Sequence, residues 1–186
     1  MRVKKGNWVL AMAVVLVLAL TACGDSGSGS AGGSASGSGD GYVEGRIGDV
    51  MSDRFFDFTV NSVYTCDSMG DYTPETGKKL LVAELTIKNT FNETIPMFDT
   101  DFQAQWDDQD DPDNAFANPV ETVVSEDQLE ADYDLGVEEE RTGLLIFEVP
   151  KDLQDFSIVY LEEFDNDDTG SLYQVYFTVK DAGTPA

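Results

Sequence analysis

The sequence has no histidine and only two cysteines in 186 residues. Without imidazole there is no Ser-His-Asp or Cys-His catalysis, no imidazole metal ligand and no histidine pH switch. Two thiols make neither a thiolate zinc site nor a disulfide framework. Basic residues are scarce too: 11 Lys+Arg stand against 36 Asp+Glu, a formal charge of -25. Such a chain repels phosphate backbones, which excludes nucleic acid as a partner of the folded part. A long hydrophobic run is also missing. The apolar stretch Trp8 to Leu20 has 13 residues, whereas crossing the hydrocarbon core takes about 20.

That short run is framed in a telling way. Met1-Arg2-Val3-Lys4-Lys5 precedes it and Leu20-Thr21-Ala22-Cys23 closes it. A basic head, a short apolar core and a small-residue end are the three parts of a secretory signal. The last four residues resemble the bacterial lipobox, which implies cleavage before Cys23 and diacylglycerol on its thiol. Two acyl chains on one residue suffice for stable anchoring to a membrane. The competing expectation is an ordinary cleaved signal in which Cys23 is incidental. Cleavage of residues 1–22 removes Arg2, Lys4 and Lys5 and no acid, so the remainder carries a formal -28. Residues 23–41 comprise that Cys and the run GDSGSGSAGGSASGSGDG, which holds nothing to bury. It reads as a flexible tether with a span of about 20–25 Å.

From Tyr42 to Ala186 the composition shifts to aromatic and β-branched residues, and all 11 Phe lie here. The segment suits one domain. Period-2 alternation dominates. Leu81, Ala83, Leu85 and Ile87 form one apolar face while Glu84, Thr86 and Lys88 point away. Phe56, Phe58 and Val60 alternate likewise, as do Gly143, Leu145, Phe147 and Val149, and Tyr173, Val175, Phe177 and Val179. Further strands are expected around 95–98, 101–106 and 156–161, and a single helical turn at Val124 to Glu130. Turn-rich segments separate them. The pattern predicts an all-β, antiparallel β-sandwich of about seven to nine strands, with a closed antiparallel barrel as the competing architecture.

Two stretches, Lys78-Lys79-Leu80-Leu81-Val82-Ala83-Glu84-Leu85-Thr86-Ile87-Lys88-Asn89 and Gly143-Leu144-Leu145-Ile146-Phe147-Glu148-Val149-Pro150, carry a family likeness. With the lipobox and tether, they resemble the immunoglobulin-like domain of unknown function found in Gram-positive surface lipoproteins, related to a secreted mycobacterial immunoprotective antigen. The resemblance covers roughly residues 45–180. It implies an immunoglobulin-like sandwich on the outer face of a Gram-positive membrane, and it brings no catalytic residues.

Acid density is the remaining signal. Seven carboxylates lie between Asp99 and Asp113: Asp99, Asp101, Asp107, Asp108, Asp110, Asp111 and Asp113. Hard oxygen ligands on a loop select Ca2+. Asp165-Asn166-Asp167-Asp168-Thr169-Gly170 matches the first half of a calcium loop, with Asp165 and Asp167 as ligands, but Tyr176 stands where the bidentate Glu belongs. An EF-hand is therefore excluded. The plainer expectation is a pair of solvated turns. Trp106, Tyr64, Tyr72 and Phe116 could make an aromatic platform for sugar; against that, Phe102, Ala104 and Trp106 share one strand face and belong in a core. Cys66 reads as a small hydrophobe. The whole predicts a lipid-anchored surface module that binds an extracellular protein or wall component without catalysis. The alternatives are a Ca2+-responsive domain and, last, a wall-polymer hydrolase.

Overall fold

The computed structural model describes residues 36–38, 41–164 and 169–179. The signal segment, Cys23 and all of the tether but Ser36–Ser38 and Gly41 lie outside the described residues, as do Asp165 and Asp167. The chain runs β1 (Ser36–Ser38), β2 (Tyr42–Arg46), β3 (Val50–Ser52), β4 (Phe56–Cys66), β5 (Lys78–Asn89), β6 (Ile95–Phe98), β7 (Phe102–Gln105), β8 (Phe116–Ala117), β9 (Asp132–Leu135), β10 (Glu140–Pro150), β11 (Asp155–Glu163) and β12 (Thr169–Thr178). Short edge strands raise the number above the seven to nine expected. No α-helix occurs among the described residues; the two helical turns are 3-10, at Asp99–Asp101 and Pro112–Asn114. Within the stretch Val124 to Glu130 a single hydrogen-bonded turn forms, Gln128 N donating to Ser125 O at 3.3 Å, and Gln128, on the crossing of residues 119–129 along β10, then bridges to Leu144. No helix among the described residues is long and apolar enough to cross a membrane.

Two sheets carry the fold, a six-stranded one in the order β1-β2-β12-β11-β7-β8 and a four-stranded one in the order β10-β5-β4-β3; β6 and β9 form a separate pair. Among the described residues the pairings between strands are antiparallel except β2 with β12, and the isolated bridge of Gln128 to Leu144 is parallel as well. The sheets face each other through rings. Phe56 and Phe58 of β4 meet Phe102, Tyr160 and Tyr173 of the opposite sheet at centroid separations of 4.9–6.3 Å. Edge-on and tilted geometries of this kind add to the gain from burial. The architecture is an immunoglobulin-like β-sandwich.

Alternation explains most strands, and its failures have local causes. A bulge between Val60 and Ser62 shifts the register of β4 on β5, so Thr65 is buried toward the core while Tyr64 and Cys66 turn outward. One inserted residue flips the phase of a period-2 pattern. Strand β5 is not half-buried along its whole length. Its Leu80 and Val82, with Ile146 of β10, form a second apolar cluster on the back of the four-stranded sheet, packed against Tyr64, Met69, Tyr72 and Val124.

At the end of β5 sits Asn89, fully buried. Its Nδ2 donates to Glu93 O and Leu135 O at 2.9 Å, and its Oδ1 accepts from Phe91 N at 2.8 Å. One amide thereby ties the strand end to its turn and to β9, satisfying buried backbone groups that would otherwise be orphaned.

Candidate functional site

The seven clustered carboxylates divide into two places. Asp99 and Asp101 occupy the 3-10 turn between β6 and β7, while the other five lie on the loop after β7. In that loop Asp108 Oδ1 accepts from Asp110 N and Asp111 N at 3.0 and 3.1 Å, and Asp111 accepts from Asn114 Nδ2. Asp107 accepts from Gln109 Nε2. These are self-satisfied turns, with Asp107, Asp110, Asp111 and Asp113 exposed. Among the described residues no three acids or thiols gather closely enough to hold a metal ion.

Asp101 has a different environment. Its Oδ2 accepts from Phe98 N at 2.8 Å, closing the turn. Burial, and then repulsion from Asp99, Glu163 and Asp53, pushes its carboxyl up to about 7. Asp53 is raised as well, again chiefly by burial; its Oδ1 accepts from Phe55 N and Phe56 N at 2.6 and 2.7 Å. Its Oδ2 is buried, and the Tyr160 hydroxyl lies close enough to the carboxylate for each to perturb the other. Glu162, 6% exposed, accepts from Ser171 N. These acids line one corner of the sandwich. A cleft of about 350 Å3 opens there, with Phe56, Met97, Phe98 and Tyr160 beside Asp101 and Glu163. A carboxyl ionising near 7 has the property of a general acid; one of the two Asp101 oxygens, Oδ2, is engaged in its own turn.

The four aromatic residues of the proposed platform do not come together. Tyr64 and Tyr72 pack on the back of the four-stranded sheet. Trp106 is half-buried against the main core, edge-on to Phe156 at 6.4 Å, and shares a shallow cleft with Phe116, Lys78 and Glu148. Cys66 is half-buried in the second cluster, and burial pushes its thiol up, which leaves it unreactive.

A polar cluster missed in the sequence lies on the back of the six-stranded sheet. Gln103 and Gln105 of β7, Ser157 and Val159 of β11, and Gln174 and Tyr176 of β12 share the face turned from the sandwich interior, where Ser157 and Val159 are themselves buried and Gln103, Gln105 and Val159 line the cleft that also holds Phe98, Asp101 and Glu163. Tyr42 Oη lies 2.7 Å from Tyr176 Oη and donates to Gln174 Oε1 at 3.1 Å, while Gln174 Nε2 donates to Ser157 Oγ at 2.8 Å. Burial and the Tyr176 hydroxyl keep the Tyr42 phenol protonated, far above its ordinary 10.0. The Arg46 guanidinium stands 5.5 Å over the Tyr176 ring. The signal was present as Q-A-Q at 103–105 and Y-Q-V-Y at 173–176, where uncharged polar residues alternate in a chain that is 25% charged.

A family model for a domain of unknown function, DUF4352, matches residues 45–169. No curated protein matches. Among solved structures, a candidate lipoprotein of Bacillus subtilis, ycdA, is similar with a TM-score of 0.55 and 16% identity over 71% of this chain and 39% of its own. The yjhA protein of the same species is similar with a TM-score of 0.52 and 18% identity, over 73% of this chain and 99% of its own. An uncharacterized β-sandwich protein of Clostridium difficile gives 0.44 and 16%, over 73% and 93%. The chain thus spans about two-fifths of the first of these and nearly all of the second. At such identities the likeness is one of fold.

Proposed function

This chain belongs to the DUF4352 family of domains of unknown function, and from that premise we propose that it is a cell-surface lipoprotein whose sandwich is a non-catalytic interaction module. The observation that carries the reading is the N-terminal order of basic head, 13-residue apolar run, Leu20-Thr21-Ala22-Cys23 and Gly/Ser tether. Diacylglycerol on Cys23 would fix the chain to the outer face of a membrane, and the tether would hold the sandwich clear of it. The likeness to a candidate lipoprotein supports the same placement. The partner is an extracellular protein or a wall component. The absence of histidine, together with the use of Asp53 and Asp101 as turn acceptors, supports a role without catalysis.

The test is metabolic labelling with an alkyne fatty acid. The wild-type chain takes up label and is digested by protease added to intact cells, whereas Cys23→Ser takes up none. An unlabelled wild-type chain overturns the anchor.

A further inference from the structure

The cleft of about 350 Å3 opens where β6 meets β7 and β11. Met97 and Phe98 line it from β6, Gln103 and Gln105 from β7 and Glu163 from β11, with Asp101 on the turn that joins the first two strands. Its walls combine two chemistries. One is apolar. Phe98 is 47% exposed, an aromatic ring left in water beside the buried Met97. Of the exposed large hydrophobics among the described residues, Phe98 alone lines the cleft, and Ile47, Val50, Val123 and Val137 lie off it. The cleft therefore has no apolar surround of the kind that organises a protein interface.

The other chemistry is a set of oxygen acceptors without a matching donor. Asp101 Oδ2 accepts from Phe98 N, which fixes the turn and leaves Oδ1 without a hydrogen-bond partner among the described residues. Gln103 spends its Nε2 on Asn118 Oδ1, so its oxygen stays available. None of the ion pairs among the described residues includes Asp101 or Glu163, and neither Lys nor Arg lines the cleft. Two bases of neighbouring segments are engaged elsewhere: Arg54 stands 5.8 Å from the Phe55 and Phe164 rings, and Arg141 pairs with Glu130 and Glu139 over the Tyr133 ring. The Asp101 carboxyl faces Asp99 of its own turn, Glu163 and Tyr160 of β11, Asp53 ahead of β4 and Tyr133 of β9. None of these is a base. What the cleft lacks is a compact positive group with several N–H donors, which an ammonium or a guanidinium supplies. Its volume lies at the low end of ligand clefts, which run from about 300 to 1,000 Å3, and so suits a small molecule.

We propose that this cleft binds a small organic cation, an ammonium or guanidinium head on an apolar stem, with the head held by Asp101 and Glu163 and the stem laid on Met97 and Phe98. The inference goes beyond the interaction module and stands or falls independently of it. A bound cation favours the ionised form of Asp101, so binding expels the proton that the empty cleft holds below about pH 7. Affinity therefore rises with pH up to about 7 and is flat above it.

Ligand-observed NMR titration of the full-length protein in non-ionic micelles, with protein-free micelles as blank, uses phenethylamine as the probe and phenethyl alcohol and phenylacetate as its neutral and anionic counterparts. At pH 8 the amine binds with a dissociation constant of about 1 mM, the alcohol binds about tenfold more weakly and the acid does not bind. Glu163→Gln, at an exposed residue that makes no bond within the described fold, weakens the amine about fivefold without lowering the thermal midpoint. Asp101→Asn weakens it about tenfold at pH 8 and leaves it as in wild type at pH 5, where the native carboxyl is protonated. Phe98→Ala weakens it about fivefold through the lost apolar contact. An alcohol that binds as tightly as the amine, an amine that does not bind, or an affinity indifferent to both acid substitutions overturns the proposal. Displacement of the amine by millimolar Ca2+, beyond that by Na+ at equal ionic strength, overturns it in favour of a metal ion. A Phe-Lys dipeptide capped at both ends that binds more than about tenfold tighter than the amine overturns it in favour of a basic side chain of a protein partner.

Discussion

Asp101→Asn is the substitution whose effect the structure specifies most closely. The wild-type carboxyl ionises near 7 in the folded chain against an ordinary 3.8, first because it is buried and then because Asp99, Glu163 and Asp53 surround it. The folded state therefore holds a proton that the unfolded state has released. Below about pH 3 both states are protonated and the group contributes nothing. As pH rises toward 7 the folded chain loses stability progressively, and above 7 the whole cost is present. At about 1.4 kcal/mol per unit this cost is about 1.5 kcal/mol at pH 5 and about 4 kcal/mol at pH 8. Asparagine keeps an oxygen to accept from Phe98 N and carries no charge, so most of the penalty disappears. The amide protons need partners of their own, which trims the gain to about 3 kcal/mol at pH 8, a rise in thermal midpoint of roughly 10 °C. Circular-dichroism melts of both proteins across this range read the effect directly. The gap between variant and wild type widens up to about pH 7 and is flat above it. A gap that is constant with pH, or a variant that melts below wild type at pH 8, refutes the assignment of Asp101 as a buried, proton-holding acid.

Other perturbations test separate parts of the fold. Asn89→Ala strands two carbonyls and one N–H that this amide now satisfies, and urea unfolding should show a loss of about 3–5 kcal/mol. Gly143→Ala brings a Cβ to 2.8 Å from Leu129 Cδ2 and 3.0 Å from Asp127 O; displacing the crossing that Leu144 N holds at 2.8 Å costs about 1–3 kcal/mol by the same measurement. Millimolar Ca2+ and Mg2+ at equal ionic strength should raise the thermal midpoint by the same small amount, as charge screening requires. A rise of roughly 5–10 °C with Ca2+ alone would instead mark the acidic loops, including Asp165 and Asp167, as a specific site.

The strands that period-2 patterning exposes are those with one wet and one dry face. Phe56, Phe58 and Val60, or Tyr173, Val175 and Phe177, announce themselves because their partners on the other face are polar. The pattern fails where packing is two-sided. Leu80 and Val82 lie on the nominally outer face of β5, and only the 67–77 loop and the 119–129 crossing, distant in sequence, make that face dry. It fails again at the bulge near Asn61, and at β2, β8 and β9, whose two to five residues hold too few alternations to read. The parallel pairing of β2 with β12 joins strands near the two ends of the chain, and no local property of either strand encodes it.

Sites are harder to read than strands because their rows run across the chain. Acid density drew attention to Asp107, Asp108, Asp110, Asp111 and Asp113, yet adjacency in sequence mostly reflects turn chemistry, and in the fold the carboxylates of Asp107, Asp108 and Asp111 bond their own loop. Asp101, whose carboxyl is pushed up to about 7, is set apart by burial and by Asp99, Glu163 and Asp53, the last two lying about 60 and 50 residues away along the chain. The polar cluster on the back of the six-stranded sheet is more dispersed still. Gln105, Ser157 and Tyr176 become neighbours only through the registers of β7 on β11 and β11 on β12, and a one-residue slip in either would turn Phe156 outward and Ser157 into the core. Burial of Phe102, Ala104, Phe156, Ile158, Val175 and Phe177 forbids that slip. The hydrophobic face therefore fixes the polar one: residues legible as core dictate, by strict alternation, which amides stand side by side on the opposite surface.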